Sequence, residues 1–102
     1  EMYFESGYII AKVENTGQTQ STITTVKLNE EEVSTFDYCT DYDPSTPGSG
    51  TWATNKTMVI INPGTTVYIR LECSWQPNAL YRVVVTTSNN NVYWGEARAP
   101  TG

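Results

Sequence analysis

The stretch that decides the fold is TVYIRLEC, residues 66–73. Its apolar side chains occupy every second position: Val67, Ile69, Leu71 and Cys73. Successive side chains of a β-strand point to opposite faces, so this alternation predicts a strand with one buried face. Residues 80–88 alternate in the same way, and the asparagines at 89–91, which tolerate the positive φ of a tight turn, close a hairpin into a further strand at 92–98. We therefore expect an antiparallel hairpin in the last quarter of the chain.

The rest of the chain also consists of short apolar stretches separated by turn residues. These stretches predict strands at residues 7–14, 21–28, 33–39, 51–53 and 57–61. In 21–28 the apolar positions change parity, which predicts a β-bulge at Thr24-Thr25. The longest loop, residues 41–50, holds two prolines and two glycines. Seven to eight mostly antiparallel strands without a helix predict an all-β protein, an immunoglobulin-like β-sandwich.

Composition limits the function. The chain has 102 residues, enough for one domain, so we expect a single β-sandwich over 1–102. It contains no histidine and two cysteines, which excludes a Ser-His-Asp triad, a Cys-His pair and a four-Cys metal site. Six Lys plus Arg against eleven Asp plus Glu give a net charge of −5, without a basic stripe for nucleic acid. We expect a non-enzymatic domain with no cofactor and no nucleic-acid partner.

The surface composition indicates where the protein works. Only 17% of the residues are charged, while threonine, serine and asparagine are frequent. A strand-rich chain whose surface is polar through hydroxyls and amides is typical of an extracellular β-domain.

The two cysteines admit two structural interpretations. Cys73 is in phase with the inward residues of its strand, and Cys39 ends another strand beside the longest loop. An extracellular setting favours a disulfide between them, worth roughly 3–4 kcal/mol for a loop of this length. Two buried free thiols are the alternative. A catalytic thiol is not expected, because the sequence offers no base to activate it.

Three aspartates near the longest loop, Asp37, Asp41 and Asp43, are candidate oxygen ligands for Ca²⁺. Their spacing does not match an EF-hand loop, and aspartates in such loops commonly cap turns. Solvation and turn capping are therefore the preferred interpretation, and no metal site is predicted.

Aromatic residues and one short motif suggest surface roles. Trp52, Trp75 and Tyr42 adjoin loop-like sequence and are candidates for a sugar-stacking platform or for subunit contacts, but the preferred interpretation is that such aromatic residues fill the core or lie at loop edges. Asn55 opens the sequon Asn55-Lys56-Thr57, which predicts an N-glycosylation site in a polar turn.

The N-terminal part of the chain suggests a contact surface. We expect the strand at 7–13 to lie at a sheet edge, where Tyr8, Ile10 and Lys12 would serve pairing with a second copy. Residues 1–6 are similar to the remnant of a cleavage tag, or else they end an N-terminal linker. No run of 18 apolar residues is present.

Four signals follow one another along the chain: IAKVENTG (10–17), ITTVKLN (23–29), IINPGTTVYI (60–69) and LYRVVVTTS (80–88). Their succession resembles the extracellular domains of archaeal type IV pilins and archaellins. It is also similar to archaellum stator-type proteins and CARDB-like adhesion modules. The likeness covers about residues 9–97. The Cys pair, and Glu30 where a glycine is frequent, depart from it.

This resemblance implies a cell-surface role. The chain would be the soluble head of an archaeal filament protein, a pilin or an archaellum component. It would contact copies of itself, other filament subunits or the S-layer. Such families carry an N-terminal hydrophobic helix in the membrane or filament core, so the resemblance implies an anchor in the full-length protein. A carbohydrate-binding or adhesion module is the alternative.

Overall fold

The structure is a computed structural model that describes residues 1–101. It contains ten β-strands. In chain order they are β1 (Met2–Glu5), β2 (Tyr8–Glu14), β3 (Ser21–Leu28), β4 (Glu31–Glu32), β5 (Phe36–Cys39), β6 (Ala53–Lys56), β7 (Val59–Ile61), β8 (Thr66–Glu72), β9 (Leu80–Thr87) and β10 (Val92–Arg98).

The strands form two antiparallel sheets of five strands each. Sheet A has the order β1-β2-β8-β5-β6, and sheet B has the order β10-β9-β3-β4 with β7 also paired to β3. The prediction of an all-β, sandwich-like fold is confirmed. There are ten strands rather than seven or eight, because β1 and the two-residue β4 were not predicted.

Alternation selects the face that each strand buries. Val67, Ile69 and Leu71 of β8 are at most 3% exposed, as the opening stretch of sequence predicts. They meet the inward side chains of sheet B in one core between the sheets. The buried members of this core are Ile9, Ala11, Ile23, Val26, Phe36, Val59, Ile61, Val67, Ile69, Leu71, Tyr81, Val83, Val85 and Ala99.

The predicted bulge in β3 is confirmed. The β3–β9 register shifts between Ile23 and Thr25, where the change of parity predicts a bulge. The bulge lets both Ile23 and Val26 point inward, and each is 1% exposed. After β3 the chain turns at Asn29 and Glu30, whose φ values of 49° and 72° suit the twist of a two-residue hairpin, and pairs back through the short β4, whereas β5 joins sheet A.

The predicted edge strand is in fact an interior strand. β2 pairs with β1 on one side and with β8 on the other, so Tyr8, Ile10 and Lys12 do not lie at an edge. The edge is β1 instead, within the segment expected to be a tag remnant or a linker. Gly7, with φ of 81°, closes a two-residue turn that folds β1 back onto β2.

The predicted disulfide is wrong, and both cysteines are free. Cys39 of β5 lies opposite Tyr68 of β8. Cys73 follows Tyr68 by five residues, directly after the end of β8. At about 3.3 Å per residue this is roughly 16 Å, and an odd separation places the two side chains on opposite faces of sheet A. Cys39 is buried on the outer face, while Cys73 packs against the core between the sheets.

We therefore expect two alkylatable thiols per chain without any reductant. Burial raises the pKa of both thiols, which keeps them protonated and slow to react in the native state. Mass spectrometry after iodoacetamide treatment in denaturant should show two adducts. The native protein should label at Cys39 far more slowly than the denatured chain. A chain that takes up iodoacetamide only after reduction would contradict the prediction.

No helix long and apolar enough to cross a bilayer occurs within residues 1–101.

Candidate functional site

The outer face of sheet A, turned away from sheet B, is covered. The loop of residues 40–52 folds over it and closes a second, smaller hydrophobic cluster. Ile10 at its centre is 0% exposed, although it alternates with the inward residues Ile9 and Ala11. We call this group the outer cluster; it comprises Tyr3, Ile10, Cys39, Tyr42, Trp52 and Tyr68.

The loop is fastened to sheet A through Glu5. The Tyr42 hydroxyl donates a hydrogen bond to Glu5 Oε2 at 2.7 Å, and the Gly48 N–H donates to the same oxygen at 3.2 Å. The Tyr42 ring packs against Trp52 and Tyr68, with ring centres 5.7 and 5.3 Å apart. The Trp52 indole N–H donates to Ser49 O at 3.0 Å, so both the Tyr42 hydroxyl and the Trp52 indole have partners within the protein.

Arg70 forms the polar border of the outer cluster. Its Nε and Nη2 donate to Asp37 Oδ2 at 3.0 and 2.8 Å, and both side chains are 17% exposed. The guanidinium carbon lies 4.4 Å from the ring centre of Tyr8 and 4.5 Å from that of Trp52. The other Asp37 oxygen accepts the Asn55 N–H at 3.1 Å. One ion pair thus joins β5, β6, β8 and two aromatic rings.

The three residues of the expected sugar platform do not share a surface. Tyr42 and Trp52 are in the outer cluster, where Arg70 stacks on Trp52. Trp75 packs on the other side of sheet A, edge-on to Phe4 with ring centres 5.4 Å apart. Its indole N–H donates to Glu5 O at 2.7 Å. These rings mainly contribute to packing within the outer cluster and the core.

The three aspartates considered as Ca²⁺ ligands are each engaged within the protein. Asp37 pairs with Arg70, Asp41 Oδ1 accepts the Thr51 N–H, and Asp43 accepts the Ser45 N–H and hydroxyl. These hydrogen bonds lower the pKa of Asp41 and Asp43. Each carboxylate caps or pairs locally, and residues 1–101 contain no group of three potential metal ligands. Asn55 is exposed, with φ of 57°, and its glycosylation stays a prediction.

The phenols of the outer cluster should make stability fall at alkaline pH. Burial and the bond to Glu5 raise the pKa of Tyr42, and the bond to Glu1 raises the pKa of Tyr3 to about 12. An unfolded tyrosine titrates near 10, so above that pH the native state holds protons that the unfolded chain releases. The stability that protonated phenols contribute is complete below about pH 10 and is lost as pH rises toward 12.

Tyr42→Phe keeps the ring and removes the ionising hydroxyl. Urea unfolding between neutral pH and pH 11 should show a shallower loss of free energy for this variant than for the wild type. Tyr3→Phe should act in the same direction. Equal slopes for wild type and both variants would contradict the assignment.

The most exposed apolar surface lies elsewhere, on β10. Val92, Tyr93 and Trp94 are 56%, 55% and 60% exposed. Arg82 of β9 stacks on Trp94, with its guanidinium carbon 4.4 Å from the ring centre. The strand is predicted from the sequence, but its exposed apolar surface is not. Three successive apolar residues in a strand otherwise bordered by Glu96 and Arg98 are the signal for it.

β10 is also an edge strand, with only β9 beside it. The Thr87 N–H donates to Asn91 O and the Ala99 N–H donates to Ala79 O, each at 2.9 Å. In an antiparallel ladder, bonded residues alternate. The odd-numbered residues of β10 therefore bond β9, and the even-numbered ones present N–H and C=O groups to the outside. We call this open side the β10 edge.

A cleft of about 420 Å³ opens between the two sheets beside β1 and β10. Gly95 borders it, and a Cβ added to Gly95 would meet no atom within 4 Å. Its lining includes Ala11, Val13, Asn15, Val83, Val85 and Gly95. Sheet packing is therefore incomplete on the side of the molecule where the β10 edge lies.

No protein-family model matches this chain, and the search of curated proteins found no match.

Proposed function

We propose that this chain is a non-enzymatic head domain of an archaeal cell-surface filament protein, acting outside the cell through contacts with other subunits. The β10 edge carries this proposal. It combines three consecutive side chains that are more than half exposed with a row of unpaired backbone groups. Such a strand is a template for association, and exposed aromatic residues are frequent anchors of protein interfaces.

The rest of the fold suits a rigid head domain. Sheet A is packed on both faces, by the core and by the outer cluster, and the tyrosine, tryptophan and arginine side chains of the cluster are engaged within the protein. These features support a rigid body that presents the β10 edge to other subunits. We take the sandwich to be of immunoglobulin-like type, and the full-length protein to be anchored by a hydrophobic helix in the membrane or filament.

Sedimentation velocity over a wide concentration range tests the proposal. We expect the wild type to self-associate, and Trp94→Lys to weaken association at least about tenfold by burying a charge in the contact. Met58→Lys is the matched control, because Met58 is 48% exposed and lies outside β10. A wild type that stays monomeric throughout, or equal weakening by both variants, would count against the proposal.

A further inference from the structure

We infer that the partner of the β10 edge is the β10 edge of a second copy of this chain, paired antiparallel about Gly95. The inference rests on the proposed function and adds its partner and geometry. It follows from three properties of β10: its length, its local charge and the phase of its free hydrogen-bonding groups.

Length distinguishes β10 from the other open strands. β10 has seven residues, whereas the edge strands β1 and β6 have four each and β4 has two. The β5–β6 register also shifts, and Asn55 of β6 has a positive φ, both of which disturb a regular ladder. Natural edges are commonly protected by shortness, irregularity or charge, and β10 has the weakest such protection.

Charge favours a second copy at this place. The chain has a net charge of −5, which opposes association of identical molecules over most surfaces. On β10, one acid and one base, Glu96 and Arg98, sum to zero. Two copies of the β10 edge can therefore approach without net repulsion between the strands.

The positions of the outward hydrogen-bonding groups determine how two β10 strands can align. Outward groups belong to even-numbered residues, so a symmetric pair must place even residues opposite even residues. Centring on Gly95 sets Val92 against Arg98 of the second copy and Trp94 against Glu96. All four outward residues are then used, with roughly eight hydrogen bonds in total.

Neighbouring registers are poorer. A shift that faces Glu96 with its own copy places like charges directly opposite each other, which is destabilising. A shift centred on Ala97 sets Trp94 against Pro100, which has no N–H to donate. A shift centred on Trp94 moves Arg98 opposite Asn90, in the turn beyond the strand.

Glu96→Pro separates edge pairing from side-chain packing. The Glu96 N–H points outward, so proline there leaves the β9 ladder intact but removes a donor that the second copy needs. We expect Glu96→Pro to weaken self-association about tenfold or more, and Glu96→Ala, which keeps the N–H, to change it much less. Near-UV circular dichroism checks that both variants are folded.

Gly95→Cys reports the register without relying on a disruptive variant. Residues facing each other at the centre of this pair have Cα atoms about 4.5 Å apart, within disulfide range. The open space at Gly95 accommodates the side chain. Under mild oxidation with glutathione disulfide we expect a covalent dimer for Gly95→Cys. Met58→Cys, on the matched exposed site, should not form one.

The outcomes distinguish the two proposals. If Glu96→Pro associates like the wild type and Gly95→Cys gives no dimer, edge pairing is wrong. If Trp94→Lys still weakens association in that case, the β10 surface is a contact surface as proposed, but the copies do not pair strand to strand. If the wild type and all variants are monomeric, both fail. The inference is supported if Glu96→Pro loses self-association, Glu96→Ala retains it and Gly95→Cys forms a covalent dimer.

Discussion

Ile10→Ala is expected to lower the free energy of unfolding by about 3 kcal/mol, the usual range for a buried isoleucine being 2–5 kcal/mol. Strict alternation in β2 would leave Ile10 facing solvent, yet it is 0% exposed because the loop of residues 40–52 covers it. The substitution removes three carbons from the centre of the outer cluster. Because little else can fill that space, the loss includes a cavity as well as lost burial.

Urea denaturation monitored by tryptophan fluorescence measures this loss. Ile60→Ala is the control, since Ile60 is 51% exposed on β7 and should change stability by no more than about 0.5 kcal/mol. If Ile10→Ala proved as mild as Ile60→Ala, the loop would not be holding a closed cluster.

Arg70→Ala is expected to lower the free energy of unfolding by about 2 kcal/mol. The guanidinium is held by Asp37 and lies over the rings of Tyr8 and Trp52. Removing it leaves the half-buried Asp37 carboxylate without its cation, and leaving such a charge unpaired is usually more destabilising than losing a surface ion pair. The two cation–π contacts are lost at the same time.

A double-mutant cycle separates these contributions. If the ion pair matters, the combined Arg70→Ala and Asp37→Ala variant should cost about 1–2 kcal/mol less than the sum of the single changes. Arg70→Lys keeps the charge but not the planar group that stacks on the rings, so it should recover only part of the stability. Additive single changes would show that Asp37 and Arg70 act independently.

The inner face of each sheet could be predicted from the sequence, because burial between two sheets imposes a period of two. Val67, Ile69 and Leu71 follow that period, and the bulge near Thr24 follows from its interruption. These features depend on residues that are close together in the chain, and local patterns report them directly.

The outer cluster could not be predicted in the same way. Tyr42 and Glu5 are 37 residues apart, and only the path of the long loop brings them together. The cysteine pairing failed for a related reason, since the parity of Cys73 says nothing of the face on which Cys39 lies. The short β1 was missed because a four-residue strand carries too little pattern to be distinguished from a terminal segment.

The two-sided packing of sheet A has a consequence for how this protein can change over evolutionary time. In β2 and β8, most side chains of both parities lie in a cluster, an ion pair or a stacked ring, the exposed exceptions being Lys12, Glu14 and Glu72. Both alternate sets are therefore constrained. The exposed face of sheet B carries fewer such constraints. Mutational tolerance should therefore be low on both faces of sheet A and on the inner face of sheet B, and sequence divergence should accumulate chiefly on the outer face of sheet B away from β10.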